Sequence, residues 1–214
     1  MMKIRQTLIE LRYSLYVTIH PFKGFWDIKH EGQGSFHTAM VIFVLELLLS
    51  VSSAFFTEYL FNQRNMANYN FLMTIAISIG LFVSWCVSNW CFTCLSDGEG
   101  TLKDICTVTA YALVPMIIFQ AILIPLSHFL IQWEASLYYL FSSGGYIWTG
   151  FLILFGILVV HQYSFTKTII VCIATIIGMG IMMYIVLLFL NLTLEMIAFF
   201  SVLLDEIRFV FMTS

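Results

Sequence analysis

SDGEGTLKDICTVTAYALVPMIIFQAILIP, residues 96–125, is the stretch whose reading decides the fold. It opens on a polar turn, passes a helix start and ends in an apolar run that holds two prolines. Thr101 is a good N-cap, and Asp104 falls in the first turn, where a carboxylate meets the positive end of the helix dipole. The helix is therefore expected from Leu102. From Ile105 to Ile131 the one candidate for charge is His128, so the run is long enough to cross roughly 30 Å of hydrocarbon at about 1.5 Å per residue. Pro115 and Pro125 fall inside it. Each removes a backbone donor, and Pro115 leaves the Tyr111 carbonyl without its usual partner, which in lipid has to be met by a bend, a hydroxyl or a neighbouring helix. Such a span is expected to lie buried among others.

Working outward, 61% hydrophobic and 10% charged residues with a mean hydropathy of +0.96 leave too little polar surface for a soluble globule. The fold class is an all-α integral membrane protein. Apolar runs at 36–60, 71–95, 105–131, 145–163 and 167–190 give five transmembrane helices. Residues 1–34 form an arm and connector ahead of them, 35–192 the five-span domain and 193–214 a tail. In KIRQTLIELRYSLYVTI, residues 3–19, Ile4, Leu8, Leu11 and Leu15 share helical spacing, which predicts an amphipathic helix on the membrane surface. Pro21 ends it, and Phe22, Phe25 and Trp26 in the connector suit the interface. Lys3, Arg5, Glu10 and Arg12 interrupt any long apolar run, so no cleavable signal is expected. From Ile181 to Ser214 there is no Gly or Pro, so one helix can run on past the fifth span. Residues 196–204 are too few to cross alone, and Asp205, Glu206 and Arg208 follow; an amphipathic tail on the outer face is expected, with a partial sixth span as the alternative.

Charge sets the orientation. With a cytosolic N-terminus, Lys3, Arg5, Arg12, Lys23, Lys29, Lys103 and Lys167 lie inside, against Arg64 and Arg208 outside. That arrangement suits a multi-pass protein of the cell (plasma) membrane. Trp90 near the inner boundary and Trp133 and Trp148 near the outer one fit aromatic belts. Two helix-start turns repeat: Gly32-Gln33-Gly34-Ser35 before the first span and Gly98-Glu99-Gly100-Thr101, with Asp104 beyond, before the third. A phosphate cradle is the functional alternative, but no strand precedes either copy and no Lys follows at P-loop spacing. A flexible turn followed by an N-cap accounts for both.

Inside the spans, Glu46 lies about ten residues, roughly 15 Å, into the first, near the midplane. An intramembrane carboxyl is costly and normally faces protein or water. Thr38, Ser50, Ser53 and Thr57 share its face, while Ser84, Pro115 and Gly178 reach comparable depth in other spans and Gln120 is the other amide or acid at depth. The set Glu46, Ser50, Ser53, Ser84 and Gln120 reads as a relay, as a docking groove for a partner helix, or as internally bonded packing. Tyr111, Pro115 and Pro125 mark the kinked span, and Gly178 and Gly180, with Gly80 and Ala174, supply small packing surfaces. Cys91-x-x-Cys94 has only Cys106 as a ready third ligand, and cysteines on apolar helices are more often packing residues, so no metal is assigned. His20, His30 and His37 read as interfacial polar groups. No catalytic constellation and no cofactor motif is found.

Gly98-x-Gly100-Thr101-Leu102-Lys103-Asp104 leading to Tyr111-Ala-Leu-Val-Pro115, preceded by Pro21-Phe22-x-Gly24-Phe25-x-x-Ile28-Lys29, resembles the bacterial branch of the Yip (Ypt-interacting protein) domain family. The resemblance runs from Pro21 through the fifth span. It implies a five-span, non-enzymatic membrane protein with no catalytic residues to carry over. Eukaryotic members of the family engage prenylated Rab-type GTPases, act in trafficking and carry a long acidic cytosolic N-terminal segment that this sequence does not contain. Bacterial relatives are often encoded beside ABC-type transporters, which implies an accessory or scaffold subunit whose partners are membrane lipids and ABC-type transporter subunits, with no nucleic acid. The alternative is a small transporter or channel that titrates at Glu46.

Overall fold

In the computed structural model, residues 2–61 and 69–213 are described, without the side chains of 2–5, 205–207 and 209–213. Arg64 of the charge count therefore lies outside the described residues, as do the side chains of Lys3, Arg5, Asp205 and Glu206. Among the described residues the chain forms α1 (Met2–Ile19), α2 (Pro21–His30), α3 (Phe36–Phe56), α4 (Phe71–Leu95), α5 (Leu102–Ala112), α6 (Val114–Ser127), a 3-10 turn (Gln132–Glu134), α7 (Ala135–His161) and α8 (Phe165–Thr213). Five stretches are long and apolar enough to cross a membrane: Phe36–Phe56, Phe71–Leu95, Leu102–Ser127, Gln132–His161 and Phe165–Leu204.

The third span begins as its sequence dictates. The Thr101 hydroxyl accepts from the Asp104 N–H at 3.3 Å, and the Asp104 carboxylate accepts from the Thr101 N–H at 2.9 Å, a reciprocal capping box. Pro115 then divides the span into α5 and α6. Its ring cannot donate to Tyr111, and the chain answers with one tightened turn in which the Leu113 N–H donates to the Ala110 carbonyl at 3.1 Å. Pro125 falls in the last turn of α6, which ends at Ser127 rather than at the expected residue 131. Likewise α3 ends at Phe56, four residues short of the expected limit.

One larger difference has a clear cause. The fourth span, expected at 145–163, begins ten residues earlier, at Ala135. Ser142-Ser143-Gly144-Gly145 resembles a turn but stays helical, because Gly145 lets α6 close on α7: a Cβ there would stand 3.0 Å from that of Phe119. The fifth span and the tail are one helix of 49 residues. Its first half packs on α4, where the Asn89 amide donates to the Thr175 hydroxyl at 3.1 Å. At Gly178 a Cβ would lie 2.5 Å from the Phe92 ring. From Tyr184 to Leu204 every residue is exposed.

The N-terminal arm differs most. Instead of one surface helix and a connector, α1 and α2 fold back on each other and wedge into the bundle. Gly24 permits the close crossing, since a Cβ there would be 2.8 Å from the Val17 Cα. The Tyr13 hydroxyl donates to Asp27 at 2.7 Å. Val17, Phe25 and Ile28 join the core formed by Ile42, Val108, Tyr111, Val114, Leu152 and Val160. Leu8 and Leu15 point outward, while Glu10, Ser14 and Val17 face in. The indole N–H of Trp148, at the midpoint of α7, donates to the Thr18 carbonyl at 3.2 Å, so the tip of the hairpin reaches halfway along that helix.

Candidate functional site

Polar chemistry gathers at the end of the bundle where α3, α5 and α8 begin and α4 and α7 finish, here called the glycine end. Ser35 caps α3, its hydroxyl oxygen accepting from the Thr38 N–H at 3.2 Å. Glu10 reaches over from α1. Its carboxylate accepts from the Ser35 N–H at 3.1 Å, the Ser35 hydroxyl at 2.5 Å, the Thr38 hydroxyl at 2.5 Å and the Gln6 amide at 3.2 Å. A negative group is thereby set against the positive end of α3. Burial pushes the Glu10 carboxyl up, but the hydrogen bonds from Ser35, Thr38 and Gln6 outweigh it and hold it below its ordinary value of 4.5. Sequence reasoning passed over Glu10, because a carboxylate on a charged helix reads as solvated and its partner lies 25 residues away.

The second glycine turn is built around His161, the buried last residue of α7. The Gly100 N–H donates to its Nδ1 at 3.2 Å, so that nitrogen carries no proton. A Cβ on Gly98 would lie 2.6 Å from His161 Nδ1 and from the Tyr163 hydroxyl, and one on Gly100 would lie 2.5 Å from Val160. The glycines are close-approach residues, and the space a phosphate would need is filled by the imidazole and the Tyr163 ring. Gly34 plays the matching part in the first turn, where a Cβ would stand 2.9 Å from the hydroxyl of the fully buried Tyr111. Gly32 adopts φ +67°, the left-handed conformation that favours glycine.

Two lysines close helix ends here. Lys29 donates to the Val160 carbonyl of α7. Lys167 donates to the Ser96 carbonyl beyond α4 at 2.6 Å while lying 4.2 Å from the centroid of the Tyr163 ring. Each places a cation at the negative pole of a helix. Between the two turns, Lys29, Gly34, Lys103, Asp104, Thr107 and Val160 line a cavity of about 140 Å³. His161 was not singled out by the sequence, and Lys29 entered only as an inner-side charge and as part of the pattern over residues 21–29; the signal for both was their place at a helix terminus beside a glycine turn.

The intramembrane set divides. Ser53 and Gln120 come together with Thr57, Tyr138, Ser142 and Tyr146 around a cavity of about 180 Å³ between α3, α6 and α7. Gln120 Oε1 is buried there with no hydrogen-bond partner among the described residues. Glu46 is buried elsewhere on α3 and makes no hydrogen bond among the described residues. Ser50 is half-buried, its carbonyl accepting from the Ser53 hydroxyl at 2.8 Å, and the Ser84 hydroxyl donates to Leu81 of its own helix at 3.0 Å. Gly178 lies in the α4–α8 crossing, whereas Gly80 and Gly180 face open space. The Cys106 thiol lies beside Cys86 rather than joining Cys91 and Cys94. Among the described residues no three His, Cys, Asp or Glu side chains gather as metal ligands.

A family model for the Yip1 domain matches residues 15–202. The chain belongs to the Yip1 domain family. No curated protein and no solved structure matches it. The Yip1 match takes in both glycine turns, Tyr111, Pro115 and His161, so the residues that fasten the glycine end belong to the Yip1 domain itself. Glu10 stands just ahead of the matched part, yet all but one of its hydrogen bonds are made to Ser35 and Thr38 inside it. The Yip1 chain is thus a multi-pass membrane protein whose densest polar contacts hold helix ends together.

Proposed function

We propose that this Yip1 domain protein is a non-enzymatic accessory or scaffold subunit of a partner membrane complex, the partner being an ABC-type transporter of the plasma membrane. The observation that carries the docking part is the length of α8. Its apolar stretch, Phe165–Leu204, has 40 residues, about 60 Å at 1.5 Å per residue, against about 30 Å of hydrocarbon. A tilt of 40°, the steep end of the usual range, accommodates about 39 Å. Roughly 20 Å of exposed apolar helix is left over, and apolar surface of that extent calls for a protein cover. The choice of an ABC-type partner, and of the bacterial branch, rests on the resemblance carried by Gly98 to Asp104, Tyr111 and Pro115. Of the described cations, Arg12, Lys23, Lys29, Lys103 and Lys167 lie on the half of the bundle toward the glycine end and Arg208 on the far part of α8, which supports a cytosolic placement of the glycine end and of the N-terminus. The 193–214 tail, as the far part of α8, then carries the docking surface on the outer side.

A second reading, a small transporter or channel, is favoured by the polar cavity at Ser53 and Gln120. Glu46 does not line that cavity, so Glu46→Gln is expected to leave folding and membrane accumulation unchanged; lost accumulation would make the charge itself structural. The two readings part on purification of the tagged protein in mild detergent from its native membrane, with co-purifying chains identified by mass spectrometry. Stoichiometric ABC-type subunits support the accessory role. A protein that emerges alone contradicts it and makes reconstituted flux the next measurement.

A further inference from the structure

Lys103 aside, exposed at the start of α5, the cations of the glycine half fall into two groups. Lys29 and Lys167 are spent on helix carbonyls. Arg12 and Lys23, on the N-terminal hairpin, are exposed and make no hydrogen bond or ion pair among the described residues. Both line one groove between α1 and α2, of about 420 Å³, with Ile9, Tyr13, Tyr16 and Asp27. Asp27 at the side of that groove is buried and already accepts from the Tyr13 hydroxyl at 2.7 Å, so the groove keeps one net positive charge at neutral pH.

Depth makes the two cations unusual. Glu10 sits level with the start of α3 through its bonds to Ser35 and Thr38, while Thr18 meets the midpoint of α7 through Trp148. Phe22 packs on Phe155 at 4.8 Å between centroids. The groove therefore opens between the headgroup level and the membrane interior, where a cation without a counter-charge is costly. Around it, Leu8, Leu15, Ile19 and Phe22 face outward, an apolar rim suited to acyl chains. A guanidinium takes a phosphate oxygen pair in its planar fork, and a lysine ammonium reaches toward the headgroups along its own stem.

We propose that the α1–α2 groove binds the phosphodiester headgroup of an anionic membrane phospholipid, with Arg12 and Lys23 as its ligands and the outward leucines and Phe22 against its chains. This goes beyond the accessory role and does not depend on it. The test is native mass spectrometry of the full chain titrated with phosphatidylglycerol or phosphatidylcholine. The expected result is a retained phosphatidylglycerol and a preference over phosphatidylcholine that falls by about tenfold or more in R12Q/K23Q. R12K/K23R, which keeps both charges, should hold the preference, as should K103Q, which removes a cation outside the groove; thermal melting confirms that each variant is folded. No preference in the wild type, full retention in R12Q/K23Q, or an equal loss in K103Q overturns the site. Equal binding of soluble glycerol phosphate would assign it to a free phosphate ester and overturn the lipid reading.

Discussion

The two ends of the bundle are fastened in opposite ways. At the glycine end a buried carboxylate, a buried imidazole and two lysines tie the starts of α3, α5 and α8 and the ends of α2, α4 and α7 to one another and to the middle of α1. Among the described residues the ion pair of the far end is exposed: His128 lies 3.1 Å from Glu58 and 2.8 Å from the Phe56 carbonyl, with the pair about half open to solvent. The Glu58 N–H donates to Ser127 at 3.1 Å. Beside this latch lies the cavity at Ser53 and Gln120, and toward it α8 runs away from the bundle. Among the described residues the contrast is between helix ends tied by buried groups and helix ends tied by an exposed pair.

The largest effect that sharpens this contrast is expected at Gly156, where α7 meets α5. A Cβ there would stand 2.1 Å from Val108 Cγ1, a backbone-proximal clash that Gly156→Ala should turn into a loss of about 1–3 kcal/mol and a lower melting temperature in detergent. Gly150→Ala, with nothing within 4 Å, is the matched comparison and should melt like the wild type. Equal melting of the two would remove the close-packed account of this end.

Next in size is Glu10→Gln. It puts an amide where four donors converge and should cost about 1–3 kcal/mol. It also carries a pH signature. Because the folded carboxyl is held below its ordinary value of 4.5, its contribution is fully present above that value and is lost as pH falls through the lowered folded value. The wild type should therefore melt earlier on acidification below about 4.5, and Glu10→Gln should flatten that dependence. Parallel pH profiles would show that Glu10 is not held as described.

The smallest effect belongs to the far end. His128→Ala should cost no more than about 1 kcal/mol, because an exposed ion pair is screened and holds two mobile side chains. A loss equal to that of Glu10→Gln would erase the asymmetry.

Much of this was legible in the residues, and what was not has a physical reason. Spans declare themselves through unbroken hydropathy, and Thr101 and Asp104 announced a capped helix start that formed, with the reciprocal capping bond and the division of the span at Pro115 added by the structure. Helix limits inside apolar runs are harder, since Ser142 to Gly145 has the composition of a turn, yet it is helical and its Gly145 is the point where Phe119 comes close. The continuity of α8 followed from the absence of Gly and Pro after Ile181. The docking of α1 was hidden, because its helical periodicity showed the outward leucines, whereas its inward face is fixed by Glu10 bonding to residues that only folding brings near. Gly98 and Gly100 were recognisable as turn glycines, but nothing local said that His161 would fill the space beside them. Ser53 and Gln120 were named as one polar set with Glu46 and Ser84, and depth alone could not say which of them share a cavity.

The measurement that bears most directly on the account is site-specific photo-crosslinking in native membranes from Leu192 and Phe199 on the overshooting part of α8, with Ile122 on the exposed face of α6 as the comparison. The account predicts a discrete protein adduct, of one transporter-subunit mass, from both α8 positions and lipid adducts alone from Ile122. Lipid adducts alone from all three positions would contradict it.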